Sequence, residues 1–152
     1  MKNSMLLTAC ASVVMFATVA IGEVGPNDVV FTDTGAVEGS LTGVAGDPAN
    51  GAMVFKNRKK GNCLACHSNS DMSDQQFHGE IGPSLDGAGS NWNEAELRGL
   101  LTNSKNTFDG TMMPAFYVDS GFYRVMSKFE GRTNLTAQEV EDVLAYMQTL
   151  TE

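Results

Sequence analysis

Residues 61–68 read GNCLACHS and place Cys63, Cys66 and His67 within five positions of one another. The whole chain has three cysteines and two histidines, so this segment holds three of these five side chains. A cluster of this kind can bind a metal ion, form a redox-active disulfide or carry a covalently attached haem. The rest of the sequence has to decide among these three chemistries.

The pattern Cys-x-x-Cys-His is typical of c-type haem attachment in an exported protein. Two thiols three positions apart can reach the two vinyl groups on one edge of a porphyrin, and the histidine that follows is placed to ligate the iron. A zinc site would need four ligands, and outside the cluster only His78 and carboxylates remain. A thioredoxin-like pair would need a βαβ pattern, which is absent, and a disulfide would leave His67 without a role. We therefore expect one covalent haem c bound through Cys63 and Cys66, with His67 as an axial iron ligand.

A haem of this type needs a second axial ligand, and methionine is the first candidate because the chain has nine of them. Met53 and Met147 fall in predicted helices, where packing is the usual role of methionine. Met112 and Met113 lie in an irregular segment after the second predicted helix, where a loop can fold over the opposite haem face. His78 is a rival ligand, although it lies only eleven residues after His67 in a polar segment.

The first 22 residues have the layout of a secretory signal peptide. A single positive charge near the start precedes an uncharged run at residues 6–21, and cleavage fits after Ala20 or after Gly22. The run is short and rich in alanine, serine and threonine, so a retained membrane anchor is the less favoured alternative. Residues 7–10, LTAC, resemble the lipobox of bacterial lipoproteins, but only nine residues precede Cys10. Lipidation of Cys10 is therefore the less favoured alternative. We expect an exported, periplasmic protein that is not bound to a membrane.

The charge of the chain argues against nucleic-acid binding. It has 10 basic and 18 acidic residues, a formal net charge of −8, and such a protein repels a phosphate backbone. Four of the basic residues nevertheless fall within KNRKK, residues 56–60, directly before the cysteines. This basic segment is either a solvated helix end, where cations suit the helix dipole, or a docking patch for an acidic partner.

The remaining sequence predicts a mainly α protein with few regular elements. Residues 23–46 are rich in glycine, valine and threonine without helical periodicity, which indicates an extended arm or linker. Helices are predicted at residues 49–60, 91–105 and 135–150. Long loops join them, and so little apolar secondary structure cannot close a core by itself. We therefore expect three to four short helices and long loops wrapped around the haem, in one domain from residue 47 to 152.

Several motifs resemble those of class I cytochromes c: CLACH, GPSLDG, the tryptophan-led helix and GTMMPAF. In that family a Met-Pro pair supplies the distal ligand, and the spacing from Trp92 carries this role to Met113 rather than Met112. The resemblance implies that the Pro83 carbonyl accepts the Nδ1 hydrogen of His67, and that Trp92 and Thr111 contact a haem propionate. It also implies that the first helix crosses the last, with Gly51 and Phe55 near Leu144 and Tyr146.

The segment from Ser68 to Trp92, the MMPAFY run and the final helix are similar to the SoxX family, the monohaem cytochrome subunits of the bacterial sulfur-oxidising system. The similarity extends over about residues 47–150. It implies a heterodimer with a SoxA-like dihaem or monohaem cytochrome. That complex is an L-cysteine S-thiosulfotransferase, which oxidatively couples thiosulfate to a cysteine of a carrier protein.

In this interpretation the bond-making step takes place in the partner. This chain is not catalytic alone; it relays electrons to a small soluble cytochrome c. The alternative function is that of a free-standing monohaem electron carrier. A subunit is expected to expose a large apolar patch when its partner is removed, whereas a carrier is not.

Overall fold

The computed structural model describes residues 22–151. Its four α-helices are α1 (Pro48–Lys56), α2 (Ala88–Asn91), α3 (Glu94–Asn103) and α4 (Ala137–Gln148). Short 3-10 turns lie at Cys63–Ala65, Ser70–Met72, Ser104–Asn106 and Ser127–Phe129, and the described residues contain no strand. The predicted fold class, a mainly α chain of short helices and long loops, is confirmed.

The predicted signal peptide, its cleavage site after Ala20 and Cys10, whose lipidation is the less favoured alternative, lie outside the described residues. Cleavage after Gly22 also stays a prediction. Within residues 22–151, no helix combines the length and the hydrophobicity needed to cross a bilayer.

The ends of the helices follow local capping chemistry. Asp47 caps α1 by accepting the Ala49 N–H at 2.8 Å, and α4 begins with a capping box between Thr136 and Glu139. The prediction that the first helix continues to residue 60 was wrong. It stops at Lys56 because the next residue, Asn57, takes an extended backbone.

The predicted helix at residues 91–105 forms as two elements. Trp92 takes an extended backbone with ψ of 140° and separates the single turn α2 from α3. Asn93 then caps α3 through a reciprocal capping box with Glu96. The break places the Trp92 side chain outside both helices, against Phe108, with ring centroids 6.1 Å apart.

The core is built on the crossing of α1 and α4. The aromatic rings of Phe55 and Tyr146 meet edge to face, with centroids 5.3 Å apart. Gly51 lies directly against the Asp142 carbonyl, where a Cβ atom would collide with backbone. The predicted contact of Gly51 and Phe55 with the last helix near Tyr146 is confirmed.

Residues 23–46, predicted as an arm or linker, pack onto the helices. Ala36, Val37 and Leu41 are buried, and the Val37 N–H donates to the Ala95 carbonyl at 2.9 Å. A second hydrogen bond joins this segment to α4: the Leu41 N–H donates to the Glu141 carboxylate at 2.7 Å. The segment is irregular but is held against the helical core along its length.

Candidate functional site

The Cys-x-x-Cys-His motif forms a single 3-10 turn that starts from a left-handed residue, Asn62, with φ of +50°. The His67 N–H donates to the Cys63 carbonyl at 3.0 Å, so the backbone of His67 is bonded to the first residue of the turn. The His67 Nδ1 donates to the Pro83 carbonyl at 2.7 Å, as the family resemblance implied. This bond fixes the tautomer and leaves the Nε2 lone pair free to ligate a metal.

The segment at residues 79–83 packs directly on the motif. The Gly79 N–H donates to the Leu64 carbonyl and the Gly82 N–H to the Cys66 carbonyl, both at 2.8 Å. A Cβ atom at Gly82 would run into the ring of His67. Glycine is required at residue 82 because the backbone approaches the imidazole too closely for any side chain.

Gly82→Ala is expected to lower the free energy of unfolding of the haem-loaded protein by on the order of 1–3 kcal/mol, because overpacking pushes the His67 ring out of line. Denaturant unfolding followed by haem absorbance measures this effect. Gly39→Ala is the matched control, since a Cβ atom there meets nothing within 4 Å, and it is expected to change stability by less than about 0.5 kcal/mol. Equal effects of the two substitutions would refute the contact.

No disulfide joins Cys63 to Cys66. Burial raises the pKa of the Cys63 thiol to about 12, and the neighbouring Cys66 adds to the rise. Redox-active and metal-binding cysteines have lowered pKa values, because the thiolate is the reactive form. Within residues 22–151, moreover, no three His, Cys, Asp or Glu side chains come together as a metal site. A buried thiol that stays protonated is a poor nucleophile for disulfide exchange and a poor zinc ligand.

The two adjacent methionines have different surroundings. Met112 is 77% exposed, whereas Met113 is partly buried against the hydrophobic core. Side chains hold the backbone of Met113 on both sides: the Ser104 hydroxyl donates to its carbonyl at 3.0 Å, and its N–H donates to the Thr111 hydroxyl at 3.2 Å. Met113 is therefore the better placed of the two to act as an axial ligand.

His78, the rival ligand, is used within the loop. Its Nδ1 accepts the Asn69 N–H at 3.1 Å, and its Nε2 donates to the Met72 carbonyl at 3.0 Å. Both ring nitrogens are thus engaged, and neither is left for iron. The structure assigns His78 to shaping the loop that follows the motif.

Asn69, which the sequence did not single out, anchors that loop to α4. It is fully buried, and its amide donates to the Tyr146 hydroxyl at 2.9 Å. Tyr146 donates in turn to the Asp71 carboxylate at 2.8 Å. Burial, followed by the bond to Asp71, raises the pKa of Tyr146 well above its ordinary value, so the phenol stays protonated. A tyrosine among the apolar positions of α4 was the available signal for this network.

A family comparison accounts for this arrangement of helices and motif. The sequence profile of the cytochrome c family matches residues 48–151. The chain belongs to the cytochrome c family. As a cytochrome c it binds haem c covalently, which confirms the predicted cofactor. The two cysteine thiols, the Nε2 of His67 and the partly buried thioether of Met113 are donors of the kinds that such a haem takes, so the residues present fit this group.

This cytochrome c also matches a solved structure, the crystal structure of SoxXA from P. pantotrophus. The sequences are 46% identical, the TM-score is 0.81, and the match covers 86% of this chain and 100% of that chain. The predicted class I fold and the resemblance to the SoxX family are confirmed. No curated protein sequence matches the cytochrome significantly.

Proposed function

We propose that the chain is a periplasmic c-type cytochrome that relays electrons within a SoxXA-type complex. The complex would be an L-cysteine S-thiosulfotransferase that oxidatively couples thiosulfate to a cysteine of a carrier protein. The observation that carries this proposal is the match to a SoxXA chain over its full length at 46% identity. In this proposal residues 1–22 are removed on export, and residues 47–152 form the haem domain.

The proposed haem-binding residues are those that the motif and its surroundings bring together. Cys63 and Cys66 would hold the haem through thioethers, and the Nε2 of His67 and the sulfur of Met113 would be its iron ligands. The Pro83 carbonyl is assigned to the Nδ1 hydrogen of His67, and Trp92 and Thr111 are assigned to a haem propionate. When bound, the haem supplies one-electron redox chemistry at a raised potential. The chain's own residues hold its orientation and close both axial positions to substrate, so bond making is assigned to the partner.

A surface loop favours the subunit over the free carrier. The Leu135 N–H donates to the Phe116 carbonyl at 3.0 Å and so joins the two ends of a loop. We term this loop, residues 118–134, the apolar loop. Four large apolar side chains on it are exposed: Phe122, Tyr123, Met126 and Phe129. Tyr123 is 91% exposed. Clustered aromatic side chains on a surface mark a protein interface, and a permanent partner subunit fits this one.

The proposal predicts that the haem-loaded chain co-purifies from its own periplasm with a second haem protein, identified by peptide mass spectrometry. Replacing both Phe122 and Tyr123 with serine is expected to reduce recovery of that protein at least tenfold, because aromatic anchors contribute most of an interface's binding energy. Val30→Ser with Val44→Ser is the matched control, since both valines are exposed elsewhere. Recovery of a monomeric holocytochrome alone would favour the free carrier.

A further inference from the structure

Residues 111–117, which we term the ligand segment, are hydrogen-bonded to residues at and just after the end of α3. The Tyr117 N–H donates to the Thr102 carbonyl at 3.1 Å. The Ser104 hydroxyl donates to the Met113 carbonyl at 3.0 Å, across nine positions of the chain. Ser104 is therefore bonded directly to the backbone of the residue that is proposed as the distal iron ligand.

Ser104 is itself held in place by its surroundings. It is fully buried, and its carbonyl accepts the N–H groups of Thr107 at 3.2 Å and Phe108 at 3.0 Å. Gly35 of the N-terminal segment packs against the same turn, because a Cβ atom there would collide with the backbone of Asn106. The Ser104 hydroxyl is thus a fixed anchor point for the ligand segment.

We infer that Ser104 is a positioning residue for the axial ligand, whose hydroxyl favours the conformation in which the Met113 sulfur stays on the iron. An external ligand can bind the iron only after Met113 has moved away, and that movement separates its carbonyl from Ser104. Without the hydroxyl, the carbonyl loses its partner in the closed conformation, whereas water can satisfy it in the open one. The inference rests on the proposed function only in taking Met113 as the iron ligand.

The test is the equilibrium binding of imidazole to the ferric holoprotein, followed by the haem absorption spectrum. The apparent affinity for imidazole is proportional to the fraction of molecules in which the distal ligand has left the iron. Ser104→Ala is expected to raise that affinity about three- to tenfold, the factor that corresponds to one ordinary hydrogen bond. Without imidazole, the variant is expected to keep the sulfur-to-iron charge-transfer band, because the closed conformation still predominates.

Thr102→Val is the matched control, because the Thr102 hydroxyl is also fully buried but has no hydrogen-bond partner among the described residues. Its imidazole affinity is expected to stay within about twofold of the wild type. Ser104→Thr keeps the hydroxyl and is expected to keep the wild-type affinity, even if the added methyl group lowers the free energy of unfolding. A merely structural role of Ser104 would lower the free energy of unfolding in Ser104→Ala and leave the imidazole affinity unchanged. That result, or equal rises in affinity in Ser104→Ala and Ser104→Thr, would overturn the inference.

Met113→Ala, titrated in the same way, separates the role of Ser104 from the assignment of the ligand. Its imidazole affinity is expected to rise far more than that of Ser104→Ala, because no sulfur then competes for the iron. An unchanged affinity in Met113→Ala would refute the ligand assignment and, with it, the inference. A raised affinity in Met113→Ala with none in Ser104→Ala would refute the role of Ser104 alone.

Discussion

Replacing Met113 with alanine is expected to leave the haem covalently attached and to open the iron to external ligands such as carbon monoxide. The thioethers proposed for Cys63 and Cys66 would not depend on Met113, so the haem content is expected to stay unchanged. Loss of the thioether sulfur removes the ligand that raises the potential. The midpoint potential is expected to fall by a sizeable part of the roughly 0.8 V that axial ligands span.

The measurement is carbon monoxide binding to the ferrous protein together with a redox titration, each with Met112→Ala as the matched control. Met112 is 77% exposed, so its removal is expected to leave both the spectrum and the potential unchanged. The Ser104 and Thr111 contacts to Met113 use backbone atoms, and both persist in the alanine variant. Carbon monoxide binding by the Met112 variant instead of the Met113 variant would overturn the assignment.

Glu141→Gln is expected to lower the free energy of unfolding by about 3–5 kcal/mol, because it removes the buried carboxylate that pairs with the Arg98 guanidinium and leaves only the largely exposed Glu94 as its counter-ion. The two side chains are 3.0 Å apart, and the residues are only 2% and 4% exposed. Burial alone lowers the pKa of Arg98, but the hydrogen bonds and charges of Glu141 and Glu94 outweigh burial and raise it. Arg98 therefore stays charged in the Glu141 variant, and the free energy of unfolding falls because a buried charge has lost a partner.

The loss also loosens the packing of residues 23–46. Glu141 accepts the Leu41 N–H, and Arg98 donates to the Val37 carbonyl at 3.1 Å. Thermal unfolding of the holoprotein by circular dichroism is expected to shift down by about 10 °C, since ~1 kcal/mol corresponds to ~2–4 °C in a domain of this size.

Glu94→Gln is the matched control for Glu141→Gln, because Glu94 also pairs with Arg98 but its side chain is 58% exposed. A solvated pair contributes less than about 1 kcal/mol. We expect the control to shift the unfolding temperature by no more than a few degrees. Similar shifts in the two variants would show that burial does not set the strength of this pair.

Much of the site was predictable because its chemistry is local in sequence. Two thiols and an imidazole within five positions can serve one haem edge in almost any fold, and capping residues such as Thr136 and Glu139 act within one turn. The end of α1, in contrast, was mispredicted, because local residue types did not show where the helix stops. Nothing in residues 56–60 forbids a helix, and the chain leaves the helix at Asn57 through its own backbone conformation.

Contacts between residues far apart in the chain could not be read from local patterns. The Asn69–Tyr146 hydrogen bond spans 77 positions and the Arg98–Glu141 pair spans 43. An arginine within an apolar helical stretch and a tyrosine on a packed helix face are each compatible with several partners. The partner of each is selected by the packing of α4 against α3 and against the loop that follows the Cys-x-x-Cys-His motif.

The attachment chemistry, the mainly α class and the family resemblance could be predicted from the amino-acid sequence, because they depend on residue types at short, fixed spacings. Tertiary structure decided which methionine is sheltered, why His78 is unavailable to iron and how residues 23–46 are held. It also brought Lys56 and Arg58 to the cavity that Leu64 and Ala65 line. Burial and pairing are properties of the packed chain, and the side chains that compete for the same role differ only in those properties.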